Sequence, residues 1–81
     1  MRVTVLLFAR LRELTGSPRL VRDVPEGATV EAVWDAATAE FPAARPYRAS
    51  VSAAVNADFA PFSAPVADGD EVAFLPPVSG G

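Results

Sequence analysis

A chain of 81 residues supports one domain, and a domain of that size buries only roughly 60 to 65 per cent of the surface its unfolded chain exposes, so its core must be dense. Apolar residues make up 51% and charged residues 21%, the balance of a compact globular protein. The formal charge is −3, and cysteine, histidine and lysine are absent, which excludes disulfides, thiolate or imidazole metal sites, Ser-His and Cys-His nucleophile pairs, and any side-chain amine to acylate.

The seven arginines are dispersed from Arg2 to Arg48 and form no basic stripe to follow a phosphate backbone, so nucleic acid is not the expected partner. Arginine used to the exclusion of lysine also has a bland origin in GC-rich coding. The apolar run over residues 3–9 is far short of the ~20 residues that cross a bilayer, and no small-residue cleavage site follows it. A cytoplasmic protein with no membrane partner is the expectation.

RVTVLLFA, at residues 2–9, is rich in β-branched and apolar side chains and predicts a strand, with Val3, Val5 and Leu7 on one face and Thr4, Leu6 and Phe8 on the other. RLREL predicts a short helical turn closed at Thr15-Gly16, after which Ser17-Pro18 forces an extended restart. RLVRDV predicts a second strand, paired with the first as a hairpin. Pro25-Glu26-Gly27 is a turn, and Thr29 is a suitable N-cap. In TVEAVWDAATAEF the apolar positions Val30, Val33, Trp34, Ala37 and Phe41 make one helical stripe, so a helix is predicted as far as Phe41, with Pro42 as its stop. Trp34 lies on that stripe and is assigned to the core. AARPYRAS predicts an irregular segment, SVSAAVN a third strand, and DFAPF a brief edge strand broken by proline. ADGD signals a turn. Its acids, with Glu71, lack the spacing of a calcium loop, so a solvated hairpin turn is the reading and no metal site is expected. EVAFL is the last strand, stopped by Pro76 and Pro77.

The order β, β, α, β, short β, β describes a two-layer α+β domain in which a right-handed crossover lays one main helix on a single face of a mixed sheet. That is the β-grasp, or ubiquitin-like, arrangement. It occupies residues 1–75, with residues 76–81 as a projecting C-terminal tail. Alternation in EVAFLPP turns Val72 and Phe74 to the core, and leaves Ala73 and Leu75 outside with Leu6 and Phe8 of the first strand and with Phe59 at the border. Such a contiguous apolar patch marks a docking site. The competing readings are that loops cover these strands or that the parity is shifted by one.

The end of the chain, FLPPVSGG, also admits two readings. One is a flexible end of no consequence. In the other, Pro76 and Pro77 direct the chain away from the sheet along a stiff path, while Val78, Ser79, Gly80 and Gly81 are slim enough to enter a narrow opening. A carboxylate delivered in this way suits a partner enzyme that activates it with ATP, because an unactivated carboxylate is inert toward nucleophiles.

LLFARLREL near the start, AAVN before the fourth strand and DGDEVAFLPPVSGG at the end resemble the small subunits of molybdopterin synthase, within the ubiquitin-like sulfur-carrier family. The likeness covers essentially the whole chain, and the double proline before a terminal Gly-Gly is its most specific mark. The resemblance implies that Gly81 is adenylated by a ubiquitin-activating-like enzyme that consumes ATP, and is then converted to a thiocarboxylate. The chain itself holds no cofactor. The tail, Pro76 to Gly80, would carry this sulfur into the large synthase subunit, where it attacks a cyclic pyranopterin monophosphate precursor; two transfers complete the dithiolene of molybdopterin. General acid and base groups would belong to that large subunit, so the chain is no enzyme on its own, and the family suggests a heterotetramer. Positions matching Phe8, Phe59 and Leu75 contact the activating enzyme and the large subunit, with Leu75 replacing a phenylalanine often found there. Rival readings are a sulfur carrier for thiamine, tRNA thiolation or cysteine synthesis, a ubiquitin-like modifier of other proteins, and a plain interaction domain with an inert tail.

Overall fold

The computed structural model describes residues 1–77. Strand β1 (Arg2–Leu7) alternates as its sequence predicts: Val3, Val5 and Leu7 are buried, and Thr4 and Leu6 are half-buried on the opposite face. The strand ends one residue before Phe8, which becomes the extended N-cap of the short helix α1 (Ala9–Thr15). Leu11 roots this helix in the core. Gly16, at φ 72, closes it by donating its N–H to the Arg12 carbonyl at 2.9 Å, a left-handed conformation that glycine adopts without Cβ strain. Strand β2 (Arg19–Asp23) then runs back antiparallel, with Leu6 opposite Arg19 and Arg2 opposite Asp23.

Helix α2 (Val30–Thr38) starts at Thr29, whose hydroxyl oxygen accepts from the Ala32 N–H at 3.4 Å. Its first-turn N–H groups at Val30 and Glu31 have no helical partner; they donate to the carbonyls of Ala64 and Phe62, each at 2.9 Å. Two sequence expectations fail just beyond. The helix ends at Thr38 and does not reach Phe41, because a residue preceding proline is disfavoured in the α region; Phe41 takes φ −129, ψ 72 and gives its N–H to Thr38. Phe41 still packs on the core. The segment expected to be irregular is a 3-10 helix, Pro42–Ser50. Pro42 falls in its first turn, where the missing N–H loses no bond, and the fixed φ of Pro46 lies within the 3-10 range. Ala44, fully buried, fastens this segment to the core.

Strands β3 (Ser52–Val55) and β4 (Asp58–Ala60) form a hairpin with a two-residue turn, Asn56 at φ 49 and Ala57 at φ 74. The edge strand is thus shorter than DFAPF suggests. Strand β5 (Glu71–Leu75) inserts between β1, to which it is parallel, and β3, to which it is antiparallel, giving the order β2-β1-β5-β3-β4. Helix α2 covers one face of this mixed sheet, which is the β-grasp arrangement. Between the layers lie Val3, Val5, Ala53, Val72 and Phe74 from the sheet and Val30, Val33, Trp34 and Ala37 from the helix. Trp34 meets Phe74 edge-on with centroids 5.1 Å apart, a favourable geometry for aromatic pairs, so its assignment to the core holds.

Candidate functional site

The uncovered face of the sheet is the candidate site. Leu6 lies in register with Ala73, Ala73 with Ala54, and Ala54 with Phe59. Directly opposed residues point to the same side of a sheet, so these four form an apolar row across β1, β5, β3 and β4. Leu75 follows Ala73 by two on β5, and Phe8 follows Leu6 by two along the chain, which places both toward the tail end of this face. Val21, opposite Thr4 on β2, also points outward. Among the described residues, the exposed large hydrophobic ones are Phe8 at 44%, Val21 at 50% and Phe59 at 81%, and all three belong to this one side.

The structure therefore brings Phe8, Phe59 and Leu75 onto the surface where alternation put them, with Leu75 and Pro76 half-buried and Pro77 exposed. Val78, Ser79, Gly80 and Gly81 lie outside the described residues. Sequence reasoning missed Ala54, which is buried yet outside the core cluster. The two central alanines, Ala54 and Ala73, are low beside Leu6 and Phe59 and leave the middle of the row shallow. Val21 was missed as well, although its alternation with Leu20 carried the signal.

The opposite layer stiffens β5 from behind. Arg48 donates from Nε and Nη2 to both carboxylate oxygens of Glu31, at 2.8 and 2.6 Å, and its guanidinium lies 3.4 Å over the Phe62 ring. Phe62 stacks in turn on Phe74, at 5.9 Å. The Arg48 hydrogen bonds hold the Glu31 carboxyl below the ordinary carboxylate range, against an opposing effect of partial burial. At the far end of the sheet the acids of the ADGD turn accept hydrogen bonds: Asp68 from the Arg2 N–H, and Asp70 from Ala67 N–H and from the Asn56 side chain. The Ala67 bond first, and the Asn56 bond second, lower the Asp70 pKa. These carboxylates shape a turn, but not the expected hairpin: the turn leads into β5 from β4, and these two strands are separated in the sheet by β3.

A groove of about 400 Å³ borders Phe59 along the β4 edge and is lined by Val51, Ser52, Ala53, Ala60, Pro61 and Phe62. With no charged or basic group in it, this groove offers apolar contact and nothing to move a proton. The candidate site is thus an exposed apolar face of the kind suited to contact with a protein surface. Among the described residues, no helix is long and apolar enough to cross a membrane.

A molybdopterin synthase sulfur carrier subunit of Arabidopsis thaliana is 43% identical over 79 residues, spanning 98% of this chain and 82% of that one. The subunit of the same name in Escherichia coli is 42% identical over 83 residues, spanning 98% of this chain and 99% of its own. Among solved structures, SAMP1 from Haloferax volcanii superposes with a TM-score of 0.89 at 34% identity, over the full length of both chains. The model of the ThiS family matches residues 5–81. With both the β-grasp sheet and the sequence match running through the strand that leads to the final glycines, this chain belongs to the ThiS family.

Proposed function

We propose that this chain is a sulfur carrier and the small, sulfur-donating subunit of a molybdopterin synthase. Its main support is the identity of 42 to 43% with relatives that bear that name, extending over nearly the whole chain. The geometry supports the same reading: β5 leads into Pro76 and Pro77 beside an exposed apolar face.

In the proposed cycle the Gly81 carboxylate attacks the α-phosphorus of ATP on an adenylating partner, releasing pyrophosphate. A sulfur donor then displaces AMP from the acyl carbon and leaves a thiocarboxylate. This acid is ionised at neutral pH, which makes its sulfur the nucleophile. Pro76 and Pro77 hold the chain off the sheet, and Val78, Ser79, Gly80 and Gly81 enter the large subunit, which supplies the acid, base and substrate-binding groups. Phe8, Phe59 and Leu75 dock the body of the domain on each partner in turn.

Intact-protein mass spectrometry after incubation with the adenylating enzyme, ATP and a sulfur donor tests the reading. The expected result is the mass gain of one oxygen replaced by sulfur, lost again on incubation with the large subunit and the pterin precursor. Adducts joined to other proteins through lysine would instead support a ubiquitin-like modifier. Sulfuration of the pterin that survives deletion of Gly81 would overturn the carrier reading.

A further inference from the structure

The apolar row does not stop at Leu6. Leu6 is in register with Arg19 on β2, so the row reads Arg19, Leu6, Ala73, Ala54, Phe59 across all five strands. Neighbouring strands lie about 4.8 Å apart, so four intervals span roughly 19 Å. A standard interface covers about 800 Å² on each partner, wide enough to take in the whole row. Any partner that seats on Phe59 and Leu6 therefore also covers or borders Arg19.

Five of the seven arginines, Arg2, Arg10, Arg22, Arg45 and Arg48, each pair with a carboxylate. Arg12, on α1, and Arg19 have no carboxylate within ion-pair distance among the described residues, and of these two it is the exposed Arg19 that lies on the outer face of the sheet. Two acids share the outer face: Asp23, four residues along β2 and paired with Arg2, and Glu71, which opposes Thr4 and so stands two strands away and further down the sheet. Covering an arginine without giving it a counter-charge is unfavourable, and like charge opposite it is worse.

We propose that the protein partner covering this face presents a carboxylate to Arg19, so that the docking surface is an apolar row closed at its β2 end by a charge clamp. The occupant is a partner protein with an acidic rim and not a second copy of this chain, whose net charge of −3 opposes self-association. The inference rests on the sulfur-carrier reading for the identity of the partner, and it adds the electrostatic term that orients the partner across the sheet.

The test measures binding of the full chain to the large subunit of molybdopterin synthase from the same organism, by stopped-flow association and calorimetry over a salt series. Arg19→Glu is expected to weaken binding roughly tenfold or more at low salt, mostly through slower association, with a flatter salt dependence. Arg19→Lys should retain most of the affinity. Arg45→Glu, which reverses a charge on the helix layer, serves as the control and should change little. Equal affinity and equal salt slope for wild type and Arg19→Glu would overturn the clamp while leaving the carrier reading intact. Failure of the wild-type chain to bind the large subunit would remove both. A concentration-dependent dimer in light scattering that Arg19→Glu dissolves would overturn the proposal in favour of a second copy.

Discussion

Replacing Ala57 by glycine is expected to stabilise this protein. Ala57 at φ 74 and Asn56 at φ 49 are the central residues of the β3–β4 turn, and a two-residue hairpin of this twist requires both to be left-handed. Asparagine tolerates that region; alanine does so only by bringing Cβ against the following carbonyl oxygen, at about 1–2 kcal/mol. Glycine removes this cost and forfeits about 0.5–1 kcal/mol of backbone entropy on folding. The exposed methyl group of Ala57 contributes little packing, so the net gain is about 0.5–1 kcal/mol. For a domain of this size that raises Tm by about 2–8 °C. Thermal and urea unfolding followed by the fluorescence of buried Trp34 provide the assay, with an unchanged urea slope expected. Ala60→Gly, at the end of β4 opposite Ala53, is the matched control and should lose about 0.5–1 kcal/mol, since a strand-paired residue gains nothing from glycine. If Ala57→Gly lowers stability as much as Ala60→Gly does, the argument from turn geometry is wrong.

The same unfolding assay separates core from surface aromatics: Phe74→Ala should cost about 3–5 kcal/mol, whereas Phe59→Ala should stay within about 0.5 kcal/mol of wild type and show its effect in partner binding. Arg48→Met removes both the Glu31 pair and the contact over Phe62 and should cost about 1 kcal/mol; Arg48→Lys recovers only part, because an ammonium lacks the planar fork. Glu31 and Asp70 have folded pKa values below their unfolded ones, so their stabilisation is complete above the unfolded values, near pH 4, and is lost as pH falls through the folded ones. Stability measured against pH should therefore drop on the acid side of pH 4, and the drop should shrink in Glu31→Gln. A profile identical to wild type in that variant would show that the Glu31–Arg48 pair contributes nothing in solution.

Local order was legible wherever one residue type settles the backbone. Thr29 as an N-cap, Gly16 as a closing residue and the alternation of Val3, Val5 and Leu7 each follow from short-range sterics and from the need to bury apolar atoms on one side. The same alternation placed Leu6, Ala73 and Leu75 outside, and so revealed most of the candidate docking face. It misjudged segments in which proline was taken only as a breaker. Proline shortens α2 through the residue before it, yet fits a 3-10 turn, so the stretch after α2 is a regular 3-10 helix where an irregular path is expected.

What the amino-acid order alone determined is the five strands and the main helix, their inward faces and the chemical identity of the tail residues, because strand and helix periodicities are properties of the chain itself. Only the tertiary structure decided which outward side chains become neighbours. Placing β5 between β1 and β3 brings Leu6, Ala73, Ala54 and Phe59, residues far apart in the chain, into one row with Arg19 at its end. That row depends on register between strands, and register is fixed by how the buried faces fit against α2, a long-range constraint that no local pattern contains.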